Sequence, residues 1–363
     1  MRPAAALVVA GWLGACVGPL PAPSAGAPPR IAIIAAERGP LGARLVSIDE
    51  RGDRQLELIE PPTARVRDTH PAVSPDGAWL VFASTRGRPI DETSLWIARI
   101  GQAAAPRPLT RSADGEAPRW AVLDAHPVWR PDGSAVVFAS TRAAGNFDLW
   151  ELELRAGQPG ALRQLTSAPG HEVTPSVAPD GAIYYAAVTP DAARREVQTR
   201  LEVRLPDGEI RPVTDGPADS SPAVSPDGSR VAFSRPALHG GAPDSELWSV
   251  ARAGGTPTQV IDLPLTEESG AVWSRDGRFL FATSALRGAD GRVVFSSIIH
   301  VDTRDRAPVA RMLEDRVGPI VRLTPAVTAT PLDARALHEN PEYLPELARI
   351  MSRAIEQQRS APP

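Results

Sequence analysis

A turn motif that returns five times decides what this chain can fold into. The stretch "HPAVSPDGAWLVFASTR" (His70–Arg86) comes back as "HPVWRPDGSAVVFASTR" (His126–Arg142) and "TPSVAPDGAIYYAAV" (Thr174–Val188). It returns again as "SPAVSPDGSRVAFSR" (Ser221–Arg235) and "GAVWSRDGRFLFATS" (Gly270–Ser284). The central aspartates, Asp76, Asp132, Asp180, Asp227 and Asp276, are spaced by 56, 48, 47 and 49 residues. A near-constant period of this size means a repeat architecture. Proline sets φ for the first corner of the turn, and aspartate bonds nearby amides. The glycines Gly77, Gly133, Gly181, Gly228 and Gly277 accept the positive φ that closes a hairpin. In the fifth copy Arg275 replaces the proline, which weakens preorganisation without forbidding the turn.

Each turn is followed by a nearly continuous apolar run, such as "AWLVFAS" or "SAVVFAS". A strand buried on both faces reads this way. A third strand is marked by Leu-Trp at Leu95-Trp96, Leu149-Trp150 and Leu247-Trp248. A fourth ends at Leu109-Thr110, Leu165-Thr166 or Val213-Thr214. Four strands per unit of this length, with no helical pattern inside, predict an all-β fold. The expected form is a six-bladed β-propeller of four-stranded antiparallel blades.

The segment from Arg30 to Glu60 supplies three strand-like runs without a preceding turn motif, so it reads as a blade lacking its innermost strand. "IVRLTPAVTAT" (Ile320–Thr330) partly echoes "HPAVS" and is expected to close the ring, although the same residues also suit an outer strand of the last unit. The propeller is thus assigned to 30–328. The tail, 329–363, is expected to carry a short C-terminal helix, with Asn340 as N-cap and Leu344, Leu347, Ile350, Met351 and Ile355 on one face.

The chain begins "MRPAAALVVAGWLGAC", a basic residue, an apolar run and then small residues. That is signal-peptide organisation, assigned to 1–15. The run is too short to span a bilayer, which takes roughly 20 apolar residues. Cys16, the single cysteine, cannot form an intramolecular disulfide. The Pro/Ala-rich stretch 16–29 reads as a tether. A net charge of −4 and the lack of a Lys/Arg-rich run argue against a nucleic-acid surface.

Two resemblances follow from these residues. Leu13-Gly14-Ala15-Cys16 resembles a bacterial lipobox, which implies cleavage before Cys16 and its acylation. The SPDG, RPDG, APDG and SRDG turns, with the Leu-Trp strands and Leu-Thr ends, resemble the PD40, or WD40-like, repeats of the TolB family of β-propellers. That resemblance covers about 30–328 and implies a propeller in the cell envelope. It does not extend to the separate α/β domain that TolB carries ahead of its propeller.

No G-x-S-x-G elbow, P-loop, HExxH or CxxC occurs. One column draws attention instead. Asp68, Asp124, Glu172, Asp219 and Glu268 stand at equivalent places just ahead of the inner strands. By repeat symmetry they are expected near a mouth of the axial channel. They could bond the amides of their own loops, or form an anionic funnel for a cation or a basic peptide. His70 and His126 share the next column, which continues as Thr174, Ser221 and Gly270. Some TolB-like propellers resemble metal-assisted sugar lyases that use channel histidines; a three-histidine set here needs His171 as well. His239, His300 and His338 read as surface residues.

Two functions are therefore carried forward. The first is a non-catalytic envelope lipoprotein, monomeric and without a cofactor, whose channel face binds a protein or peptide. Acylated Cys16 would hold it at a membrane, and Val17 after the cysteine points towards the outer membrane facing the periplasm. The second is a lyase or hydrolase acting on glycans, with a divalent cation in the channel.

Overall fold

The computed structural model describes residues 31–323 apart from short segments, among them 60–65, 111–120, 288–292 and 313–321. The proposed leader 1–15, the tether with Cys16 and the tail 329–363 lie outside the described residues. Among the described residues every regular element is a strand.

The chain opens with β1 (Ile31–Gly39), β2 (Gly42–Asp49) and β3 (Arg54–Gln55). Five blades of four consecutive strands follow. The first holds β4 (Asp68–Val73), β5 (Trp79–Ser84), β6 (Ser94–Arg99) and β7 (Arg107–Pro108). The second holds β8 (Asp124–Trp129), β9 (Ala135–Ser140), β10 (Asp148–Arg155) and β11 (Gln158–Gln164). The third holds β12 (His171–Val177), β13 (Ile183–Asp191), β14 (Glu196–Arg204) and β15 (Ile210–Pro212). The fourth holds β16 (Ser220–Val224), β17 (Arg230–His239), β18 (Ala242–Ala251) and β19 (Thr258–Ile261). The fifth holds β20 (Thr266–Trp273), β21 (Phe279–Arg287), β22 (Val293–Asp302) and β23 (Arg311–Met312). Finally β24 (Arg322–Leu323) pairs antiparallel with β1, setting Ala35 opposite Leu323.

Of the six four-stranded sheets, five are self-contained repeat units and the sixth is composite, in the order β24-β1-β2-β3. Its first unit has no turn motif because its innermost strand comes from the far end of the propeller sequence. Successive inner strands touch, from β4 to β8, β12, β16, β20 and β24, and β1 returns to β4.

Packing between sheets explains the continuous apolar runs. In β5, Leu80 and Phe82 face Ile34 and Leu45 of the composite sheet. Val81 and Ala83, on the opposite face, meet Trp129, Val136 and Phe138 of the second blade. The same alternation carries Val137 to Ile183 and Tyr185, Tyr184 to Val231 and Phe233, and Ala232 to Leu280. Each second strand is thus buried on both faces through its centre, which selects apolar residues on both sides of the sheet.

The turns behave as their letters require. Gly77 has φ 76° and donates its N–H to Ser74 O at 2.8 Å. Asp76 Oδ1 accepts the Ser74 hydroxyl and the Ala78 amide. The Ser74, Ser134 and Ser225 hydroxyls hold the Asp76, Asp132 and Asp227 carboxyls below the usual range. Asp180 is also lowered, chiefly by Arg252. Neighbouring turns pack side by side: a Cβ added to Gly133 would meet Pro75 at 3.8 Å, and one on Gly277 would meet Pro226 at 3.7 Å. Trp129 and Trp273, which share one repeat position, each donate the indole N–H to the preceding blade's inner strand, at Ala72 O (3.0 Å) and Ala223 O (2.9 Å).

Candidate functional site: the axial channel

The five repeat carboxylates do not open onto a channel mouth. Asp68, Asp219 and Glu268 are 0% exposed, Asp124 1% and Glu172 3%. In the first two blades the inner strand presents its acid to a serine of the second strand: Asp68 pairs with Ser84 and Asp124 with Ser140 in the ladder. Those hydroxyls donate to the acids at 2.6 Å in both cases. The residue two places after the serine is an arginine in these blades. Arg86 donates to both oxygens of Asp68 (3.2 and 2.6 Å), and Arg142 does the same to Asp124 (2.7 and 2.8 Å). In the fourth blade Arg235 grips Asp219 at 2.7 and 2.8 Å.

These groups also join neighbouring blades. Thr110, ending the first blade, donates to Asp124 in the second, and Thr166 donates to Glu172 in the third at 3.0 Å. The Leu-Thr ends and the acid column are therefore two halves of one inter-blade staple. The Leu-Trp strand supplies a lid. The Arg142 guanidinium lies 5.3 Å from the centres of Phe138 and Trp150, and Arg235 lies 5.2 Å from Phe233 and 4.9 Å from Trp248. The anionic-funnel alternative is corrected accordingly. A carboxylate at this ladder position points into the blade, where desolvation selects a fixed partner over an incoming one.

Glu172 and Glu268 lack the arginine. Ala187 and Ser284 stand opposite them, and Thr189 and Leu286 occupy the arginine column. Glu268 is held by Thr266 and Ser284 hydroxyls at 2.7 and 3.0 Å and by the Leu263 amide. Burial without a cation pushes both carboxyls up to about 8. Asp148 beside Glu172 and Asp244 beside Glu268 add like-charge repulsion.

The histidine column does face the axis. His70, His126, Thr174, Ser221 and Gly270 all take positive φ, between 51° and 65°. Each sits at a break in the inner-strand register, so two residues bulge from the ladder in every blade. In the first four blades the next residue is proline, which has no N–H to leave unpaired. Left-handed backbone at non-glycine residues is strained, and here the strain is repeated around one axis. Sequence patterning could not reveal it, because four different side chains occupy the column.

The bulges surround an axial cavity of about 350 Å³. Its wall carries two tiers of proline, Pro71, Pro127, Pro175 and Pro222 from the bulges, then Pro75, Pro131, Pro179 and Pro226 from the turns. His70 and His126 meet edge to face within it, ring centres 4.3 Å apart. Protein surrounds the His126 ring on every side but the channel, and this desolvation pushes its pKa down to about 4. The ring is therefore neutral at physiological pH. His171 does not join the pair: it is exposed, and its Nδ1 accepts the Phe147 amide at 3.1 Å. Among the described residues no three His, Cys, Asp or Glu side chains gather in a metal-holding cluster. His300 is not a surface residue; it packs between Phe279 and Phe281, with ring centres at 5.8 and 6.0 Å.

Sequence reasoning missed Arg86, Arg142 and Arg235. The recurring "FASTR" and "FSR" endings were the available signal.

No protein-family model matches the chain, and no curated protein matches it. Solved structures do. A TolB from Agrobacterium tumefaciens aligns with a TM-score of 0.57 at 16% identity, over 78% of this chain and 90% of that one. TolB from Acinetobacter baumannii aligns at 0.55 and 17% identity, over 80% of this chain and 64% of that one. The tricorn protease aligns at 0.51 and 13% identity, over 81% of this chain and 27% of that one. Proteins with different names share this architecture, so the likeness concerns the fold. The chain has the β-propeller fold of the TolB structures.

Proposed function

We propose that this protein is a non-catalytic envelope lipoprotein whose propeller is a rigid scaffold, receiving a protein or peptide segment at its axial face. The observation that carries this reading is the proline-walled cavity. Pro131, Pro179 and Pro226 are exposed at its mouth, its His126 ring is neutral, and the repeat carboxylates are turned away from it. Such a wall suits an extended, largely apolar segment and not the basic one that an acidic funnel would take. The TolB-like fold supports a protein-binding role, and the lipobox-like start supports anchorage through Cys16 at the outer membrane, facing the periplasm.

Pro131 and Pro179 are exposed, and the fifth repeat already carries arginine in their column. Pro131→Arg/Pro179→Arg is expected to abolish capture of the partner from crosslinked envelopes while leaving the melting temperature nearly unchanged. Capture that survives the double variant removes the channel face from the interaction. Anchorage has its own test. Cells fed labelled palmitate are expected to label the wild-type chain and not Cys16→Ser; an unlabelled wild type means a secreted protein.

The glycan-lyase reading has one specific support, the paired rings of His70 and His126. A stoichiometric metal that chelator removes, and that His70→Ala or His126→Ala fails to bind, replaces the scaffold reading with that one.

A further inference from the structure

One repeat breaks its own pattern. The second residue after the turn glycine is Trp79, Ala135, Ile183 and Phe279 in four blades, and in the fourth blade it is Arg230. Ala135, Ile183 and Phe279 are buried, 3%, 1% and 8% exposed, and Trp79 packs on the adjoining core. Arg230 is exposed and borders a cleft of about 570 Å³ between the fourth and fifth blades, within the range of small-molecule sites. A polar residue in an otherwise apolar column is the kind of local inconsistency that accompanies function.

The cleft is built, not merely left over. Arg230 Nε donates to Ser249 Oγ at 2.9 Å and Nη2 donates to the same oxygen and to Thr258 Oγ1 at 3.4 Å. Ser249 is 1% exposed, so the guanidinium is fixed against a buried anchor. Among the described residues no carboxylate pairs with Arg230. Gln259, whose Nε2 donates to Glu246 at 2.9 Å, leaves its carbonyl for a ligand, Asp276 accepts the Ser274 hydroxyl, and Trp273, 8% exposed, closes the apolar part of the wall. Asp227 stands at the rim, its carboxylate taken by Ser225 and Ser229.

The chemistry of this lining selects a ligand. A simple anion meets two carboxylates beside one arginine. An apolar ligand strands the arginine, glutamine and hydroxyls. A ligand whose hydroxyls both donate and accept, and whose C–H groups suit the apolar part of the wall, meets the guanidinium, the Gln259 carbonyl and the hydroxyls together. We infer that this inter-blade cleft is a saccharide-binding site, separate from the axial cavity and sharing only the Trp273 and Ser225–Pro226 wall with it. It is independent of the channel reading.

Saturation-transfer NMR on the full chain with maltose, cellobiose and N,N′-diacetylchitobiose tests this. At least one sugar is expected to bind saturably. Arg230→Leu, which restores the apolar column and so should fold, is expected to weaken binding at least about tenfold, as is Gln259→Ala. No saturable response to any of the three sugars overturns the proposal, and so does one that survives both substitutions. Binding of citrate in place of sugar, lost in Arg230→Leu, overturns it in favour of an anion site.

Discussion

Asp124→Ala is expected to lower the free energy of unfolding by about 3–5 kcal/mol, the usual loss when one partner of a buried ion pair is removed. Asp124 and the Arg142 side chain are 1% and 7% exposed, so water cannot replace the missing carboxylate. Ser140 and Thr110 lose their acceptor in the same step, and with Thr110 goes a tie between the first two blades. Urea denaturation measures the change. Replacing both charged partners, in Asp124→Leu/Arg142→Met, is expected to recover much of the loss, because the desolvation of both ions is then removed. Had this carboxylate been a recognition group at a channel mouth, its removal would leave stability within about 0.5 kcal/mol. A result of that size for Asp124→Ala sinks the staple.

The second large effect is on pH. Glu172 and Glu268 have an ordinary value of 4.5, and burial raises both to about 8 in the folded chain. Between those values the unfolded chain has released protons that the folded chain still holds, so stability falls as pH rises. Their contribution is complete below pH 4.5, declines through the window and levels off above pH 8. Each group contributes a slope of at most about 1.4 kcal/mol per pH unit. The turn aspartates act in the opposite sense. Asp76, Asp132, Asp180 and Asp227 are depressed, so their contribution is lost as pH falls below the ordinary aspartate value of 3.8. Maximum stability is expected in mild acid, with a falling urea midpoint towards pH 8. Glu172→Gln/Glu268→Gln should flatten that fall; a double variant with the wild-type slope rules these two groups out as its source. Asp68, Asp124 and Asp219 have arginine partners and are left unchanged in this test.

Several local features could be read before any coordinates. A turn such as Ser74-Pro75-Asp76-Gly77 closes within four residues, so its letters carry its geometry. The burial of β5 or β9 on both faces is written as uninterrupted hydrophobicity. The absent inner strand of the first unit was visible as a missing turn motif, and its source near Ile320 as a partial echo. The composite sheet is completed by a strand far away in sequence, which is why its unit carries no turn motif of its own.

The amino-acid order by itself determined the all-β repeat, its period and the five turn positions, because hairpins and strand burial depend on neighbours close in the chain. Tertiary structure alone decided where the repeat side chains point. Asp68 and His70 are two residues apart, yet one is sealed against Arg86 and the other faces the axis, because the bulge that begins at His70 breaks the alternation of the strand. The same holds for Arg230: its departure from an apolar column becomes a cleft only when a second blade stands opposite it.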